Sequence, residues 1–196
     1  AFHALRPYVP GDDRRYVHWR TSARIGQLMV RQFEETRRSQ ITIVHVAREG
    51  GYASEDEFEL AISVTASIAS QVIRDGTQIS VVSERGLWLT RTVVAMLDDS
   101  CREAPSPAAE FATVRDLTRE RTRRLPAPSV VVVVAGSGVP PEELRAVQTL
   151  FGPDVTHVAI RVELGITTRL AVTPGHTRME LGALSDLPLV LREVIS

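Results

Sequence analysis

A chain of 196 residues with 43% hydrophobic and 24% charged side chains can build one domain with a full-sized core, and its usage is globular, neither disordered nor membrane-embedded. Its formal net charge of -1 provides no whole-molecule field that would draw in nucleic acid or an anionic membrane. All 23 basic residues are arginine, which removes lysine-dependent chemistry from Schiff bases to P-loop phosphate binding. The lone Cys101 removes intrachain disulfides and multi-cysteine metal sites, and fits a reducing compartment.

Residues 1–38 are punctuated by Pro7, Pro10, Gly11 and Gly26 and carry eight arginines, so they read as an irregular N-terminal arm ending in a half-buried strand over 28–33. Residues 40–47, rich in β-branched side chains and followed by Gly50-Gly51, predict the first central strand. Apolar residues recur at three and four from Glu55 to Arg74, predicting a helix with a capping box between Ser54 and Glu57 and a stop at Asp75-Gly76. A strand over 77–83 completes a βαβ unit, and Glu84-Arg85-Gly86 turns the chain towards 87–90.

Phe111 to Arg124 predicts an arginine-rich amphipathic helix, and Ser129 to Ala135, apolar on both faces, the central strand of the sheet. Gly136-Ser137-Gly138 follows, then a helix from Pro140 to Phe151, a strand over 156–162, an edge pair around Pro174-Gly175, and a closing helix over 187–195. This alternation predicts an α/β fold over 39–196: a doubly wound, largely parallel, Rossmann-like sheet.

The most specific stretch runs from Leu5 to Glu34, with Arg6, Tyr8, Gly11, Asp12, Asp13, Arg15, His18, Trp19, Ser22, Arg24 and Arg31 as its marked positions. It closely resembles the signature of the domain-of-unknown-function 58 family, in which such an arm precedes a von Willebrand factor A-like sheet. In physical terms Pro10-Gly11-Asp12-Asp13 is a turn whose carboxylates can cap a short helix. Arg15, Trp19 and Arg24 are then expected to form a bidentate and stacking network with Asp12 or Asp13 and with Glu34. Two readings stay open. The network fixes the arm onto the sheet, or it presents Arg and Trp to a protein partner.

The resemblance implies a non-enzymatic interaction module, a MoxR-type AAA+ ATPase as partner, and a cytoplasmic location tethered to a membrane by a segment preceding Ala1. It also implies a place for a divalent cation, a D-x-S-x-S loop after the first strand. The matching positions here are Val46 and Arg48, with Ala135 and Ser137 after the central strand, so the aspartates are missing and Arg48 is expected to repel a cation. No metal and no cofactor are expected.

Two alternatives remain. The Gly136-Ser137-Gly138 turn could hold an anion or nucleotide on free N–H groups, serving a nucleotide-binding or hydrolytic enzyme. Asp98-Asp99-Ser100 could instead be the cation loop of a metal-dependent binding module. The five histidines show no zinc spacing, and His45 and His157 are expected to be packed within strands.

Overall fold

The computed structural model describes residues 2–10, 12–33, 39–106, 110–173 and 175–188. The chain divides into two compact units, Ala1–Arg38 and Ser39–Ser196.

The first unit is more ordered than its punctuation suggests. Strand β1 (Phe2–Pro7) pairs antiparallel with β2 (Met29–Phe33), Leu5 opposite Arg31 and Pro7 opposite Met29. Between them lie a 3-10 turn over Arg14–Tyr16 and helix α1 (Trp19–Ile25). The expected irregular arm is therefore a hairpin with a helical insert. The segment FHALRP carries no β-branched residue, so β1 arises from pairing with a distant strand, not from local propensity. His18 caps α1 by accepting the Thr21 N–H at Nδ1, and Gly26, at φ 75, closes it with an N–H bond to the Ser22 carbonyl.

The second unit is built on a seven-stranded sheet in the order β5-β4-β3-β6-β7-β9-β8. Its parallel centre comprises β3 (Gln40–His45), β4 (Gln78–Ser83), β6 (Val130–Ala135), β7 (Thr156–Val162) and β9 (His176–Leu181). The edges β5 (Gly86–Leu87) and β8 (Arg169–Thr173) run antiparallel to their neighbours. The expected doubly wound α/β sheet is present, with β6 at its centre. Of the predicted closing helix, only Leu187 and Pro188 fall among the described residues.

Helices lie on both faces. On one, Leu60, Ala61, Val64 and Ile68 of α2 (Glu55–Arg74) and Met96 of α3 (Val93–Ser100) pack over Ile43, Val81, Val132, Val134 and Ile160. On the other, Val114 and Leu117 of α4 (Val114–Thr122) and Leu144 and Val147 of α5 (Pro141–Val147) cover Val44, Val82, Val131, Val133 and Ala159. The unbroken valine run of β6 is the residue-level cause, because a strand under two helix layers must be apolar on both faces. The chain moves from β3 outward to β4, then crosses back to β6 on the opposite side. The order therefore reverses between β3 and β6, and the loops leaving their carboxyl ends diverge there, where open α/β sheets form their crevices.

Candidate functional site

The crevice between β3 and β6 is closed by its own side chains. Gly138 donates its N–H to the Gly51 carbonyl at 3.1 Å, locking the two loops together. A Cβ on Gly138 would lie 2.2 Å from the Gly50 oxygen, and one on Gly136 would lie 2.3 Å from Tyr52 Cδ1. These glycines serve close backbone approach, not a phosphate. Glu57, 2% exposed on the first turn of α2, accepts the Ser137 N–H at 2.7 Å and the Ser137 hydroxyl at 2.8 and 3.0 Å. The Val139 N–H is bonded to the Gly136 carbonyl. The N–H groups of Ser137, Gly138 and Val139, the donors an anion would use at such a turn, are thus all engaged within the protein.

The positions that the resemblance assigns to a cation loop are filled as well. Val46 and Ala135 are wholly buried in the apolar layer beneath α4 and α5. The fixed positive charge expected at Arg48 is there, but its guanidinium grips Glu143 in a bidentate pair at 2.9 and 3.0 Å. Burial pushes the Glu143 carboxyl up, but hydrogen bonds from Arg48 and the Val114 N–H, with the Arg48 charge, hold it below its ordinary range. Arg161 donates to the Ser137 carbonyl at 2.7 Å and to Glu163 at 2.8 Å. Asp98 and Asp99 lie at the end of α3, where Asp99 accepts the Leu89 N–H and pairs with Arg102. Among the described residues, no group of three or more His, Cys, Asp or Glu side chains could hold a metal ion.

Beside the crevice two more acids are embedded. Glu84 accepts the Ala47 N–H at 2.6 Å, and Glu103 accepts the Ser83 hydroxyl and the Trp88 indole N–H, both at 3.0 Å. Burial raises both carboxyls above their ordinary range. Tyr52, which donates to the Val46 carbonyl, is pushed well up by burial and then by the fields of Glu84, Glu57 and Glu103. His45, wholly buried and 3.1 Å from the Thr65 hydroxyl, is lowered by burial to about 3 and is neutral. These groups tie loops to strands at the edge of the sheet.

The marked positions of the first unit divide into a frame and a surface. Arg6 holds Asp12 in a bidentate pair at 2.6 and 2.7 Å, and Asp12 also accepts the Val9 N–H, so the Arg6 bonds and this N–H lower its carboxyl to about 2. Asp13 pairs with Arg15 and accepts the Arg15 N–H, capping the 3-10 turn. The Tyr8 N–H reaches the Leu28 carbonyl. Ser22 is buried, donating to the His18 carbonyl and accepting the Met29 N–H, which ties α1 to β2. The backbone of Arg31 lies in β2, while Gly11 and Glu34 fall outside the described residues. Within the described residues the expected network takes a different form: Asp12 pairs with Arg6 and Asp13 with Arg15, while Trp19 is 66% exposed; the Glu34 part of the expectation lies outside the described residues.

Sequence reasoning missed Tyr52, Glu84, Glu103, Glu143 and Arg161, and took Glu57 as a helix cap alone. The glycines at 50, 51, 136 and 138 were the available signal. Two glycine-bearing turns at adjacent strand ends permit backbone contact, and such contact engages N–H groups that a ligand would otherwise use.

Comparison with known proteins adds family identity. A stretch of 73 residues is 38% identical to the protein named "Uncharacterized protein YeaD" of Bacillus subtilis (strain 168), covering 37% of this chain and 17% of that protein. Residues 4–136 match the family described as "Protein of unknown function DUF58", spanning the first unit and the sheet as far as the turn after β6. With more than half its length matched, the chain belongs to the DUF58 family.

Proposed function

We propose that this chain is a non-enzymatic protein-docking module, von Willebrand factor A-like in its sheet, whose partner-binding surface lies on the first unit. One observation carries the reading: Trp19 is 66% exposed on a helix that is otherwise fastened by His18 and Ser22. Tyr16, Ile25 and Leu28 are exposed in the same small unit, as are Arg15, Arg20 and Arg24. Tryptophan, tyrosine and arginine dominate binding hot spots, and a small unit gains no burial by holding a tryptophan in water. The turn between β3 and β6 supports the non-enzymatic half, because the Arg48–Glu143 and Glu57–Ser137 pairs occupy the switch point, leaving a groove of 450 Å³ beside Tyr52 and Glu103 rather than within it. The partner class is a MoxR-type AAA+ ATPase, and the site of action is the cytoplasmic face of a membrane to which a further segment tethers the chain. Both extend family membership and the resemblance of the Leu5–Glu34 stretch.

The test is a binding titration between the purified chain and a MoxR-type ATPase from the same organism. Trp19→Ala should weaken binding by about 2 kcal/mol, near thirtyfold, at an unchanged melting temperature, while Leu164→Ala in the second unit leaves it intact. Equal affinity of the wild type and Trp19→Ala would remove this surface from the proposal. No binding by the wild type would remove the partner class.

A further inference from the structure

The opposite end of the sheet carries a basic groove that neither the family match nor the docking reading uses. Period-two alternation sorts the side chains of β9. Thr177, Met179 and Leu181 are buried, with Met179 and Leu181 in the layer beneath α2, so His176, Arg178 and Glu180 take the other face. Across the β8–β9 register, Thr173 lies opposite His176 and Ala171 opposite Arg178. Helix α5 packs against β7 on that face. A groove of 450 Å³ remains between its end and the β8–β9 pair, lined by Arg145, Gln148, Ala171, Thr173, His176 and Arg178.

Three features make this more than a solvated basic patch. Among the described residues, Arg145 and Arg178 have no carboxylate within ion-pair distance, and Glu180 lies opposite Arg169 in the register. Both guanidinium charges act on His176, whose ring is lowered by burial and then by Arg145 and Arg178, so two cations and one imidazole border the same volume. Behind His176 stands His157, 1% exposed, stacked on it with the two Nδ1 atoms 2.8 Å apart and with a buried Nε2 that has no partner. Burying an imidazole with an unpartnered nitrogen costs free energy, and here it fixes the ring of His176 at the groove wall.

We propose that this groove is an anion site for a small phosphate monoester, gripped by Arg145 and Arg178, with His176 and Gln148 completing its hydrogen bonds, while the Thr173 hydroxyl, donating to the His176 carbonyl at 2.8 Å, shapes the wall. Two guanidinium forks and two neutral donors match a dianion with three acceptor oxygens, whereas a carboxylate saturates one fork alone. The volume falls within the range of about 300–1,000 Å³ typical of small-ligand sites, leaving room for an organic group beyond the phosphate.

The experiment titrates the full chain with glycerol 3-phosphate, inorganic phosphate and acetate, following the ring signals of His176 and His157 by NMR. Saturable shifts with both phosphates and none with acetate are expected. Arg145→Gln and Arg178→Gln should each weaken binding about tenfold or more, and Arg169→Gln should not. Arg145 is exposed on α5, so its variant tests the site without touching the core. Equal response to acetate, or unchanged affinity in both variants, would overturn the site. Binding of a phosphoserine peptide with both small phosphates inert would overturn the small-ligand class. A Trp19→Ala variant that still binds phosphate separates this site from the docking surface.

Discussion

Replacing Glu57 tests whether the crevice is a structural brace. Its carboxylate receives the Ser137 N–H at 2.7 Å, the Ser137 hydroxyl at 2.8 and 3.0 Å and the Ala53 N–H at 3.3 Å, and the residue is 2% exposed. Hydrogen bonds to a charged acceptor contribute about 1.5–3 kcal/mol each. Glu57→Ala strands two donors of the part-buried Ser137, so a loss of roughly 2–4 kcal/mol in unfolding free energy is expected. Ser137→Ala removes the hydroxyl but keeps the N–H bond, and should cost about 1–2 kcal/mol. The double variant should cost less than the sum by about 1–2 kcal/mol, because the second change removes a bond already lost. Urea denaturation followed by far-ultraviolet circular dichroism measures all three. A Glu57→Ala change smaller than about 0.5 kcal/mol, or strict additivity, would refute the brace and reopen the crevice as a ligand site.

Two further outcomes follow from the same geometry. Gly138→Ala drives a Cβ to 2.2 Å from the Gly50 carbonyl oxygen, backbone against backbone, and should destabilise by about 1–3 kcal/mol in the same assay, with Gly152→Ala, where nothing lies within 4 Å, as a nearly neutral control. On pH, burial lowers His45 to about 3 and, with the field of His176, lowers His157 to about 4, from an ordinary 6.5. Each contribution to stability is then full above pH 6.5 and is lost as pH falls towards the folded value, His45 alone removing about 2 kcal/mol by pH 5. Glu84 and Glu103, raised by burial, act with the opposite sign. Their contribution is full below the ordinary carboxylate pKa and is lost as pH rises through their raised folded values, which partly offsets the histidines. Histidine NMR separates the terms, because the rings of His45 and His157 should stay neutral at pH 5. Midpoints near 6.5 would show that both are solvated.

Family membership and the layer architecture were legible in the residues themselves. The Leu5–Glu34 stretch carries the family resemblance, and the period of apolar residues in α2 and the valine run of β6 state which faces are buried. Spacing along the chain encodes such local periods directly. What lies at the sheet's edge was decided only by the fold. The partners of the crevice are far apart in sequence, Glu57 with Ser137 and Arg48 with Glu143, and no local pattern distinguishes a paired acid from a solvated one. Tertiary closure likewise made a hairpin of the punctuated arm and took Asp12 for Arg6, leaving Trp19 in water. At the positions the resemblance assigns to a cation loop, the residue types could be read from the sequence, but only the packed sheet shows their partners: an arginine paired with Glu143 and a serine held by Glu57.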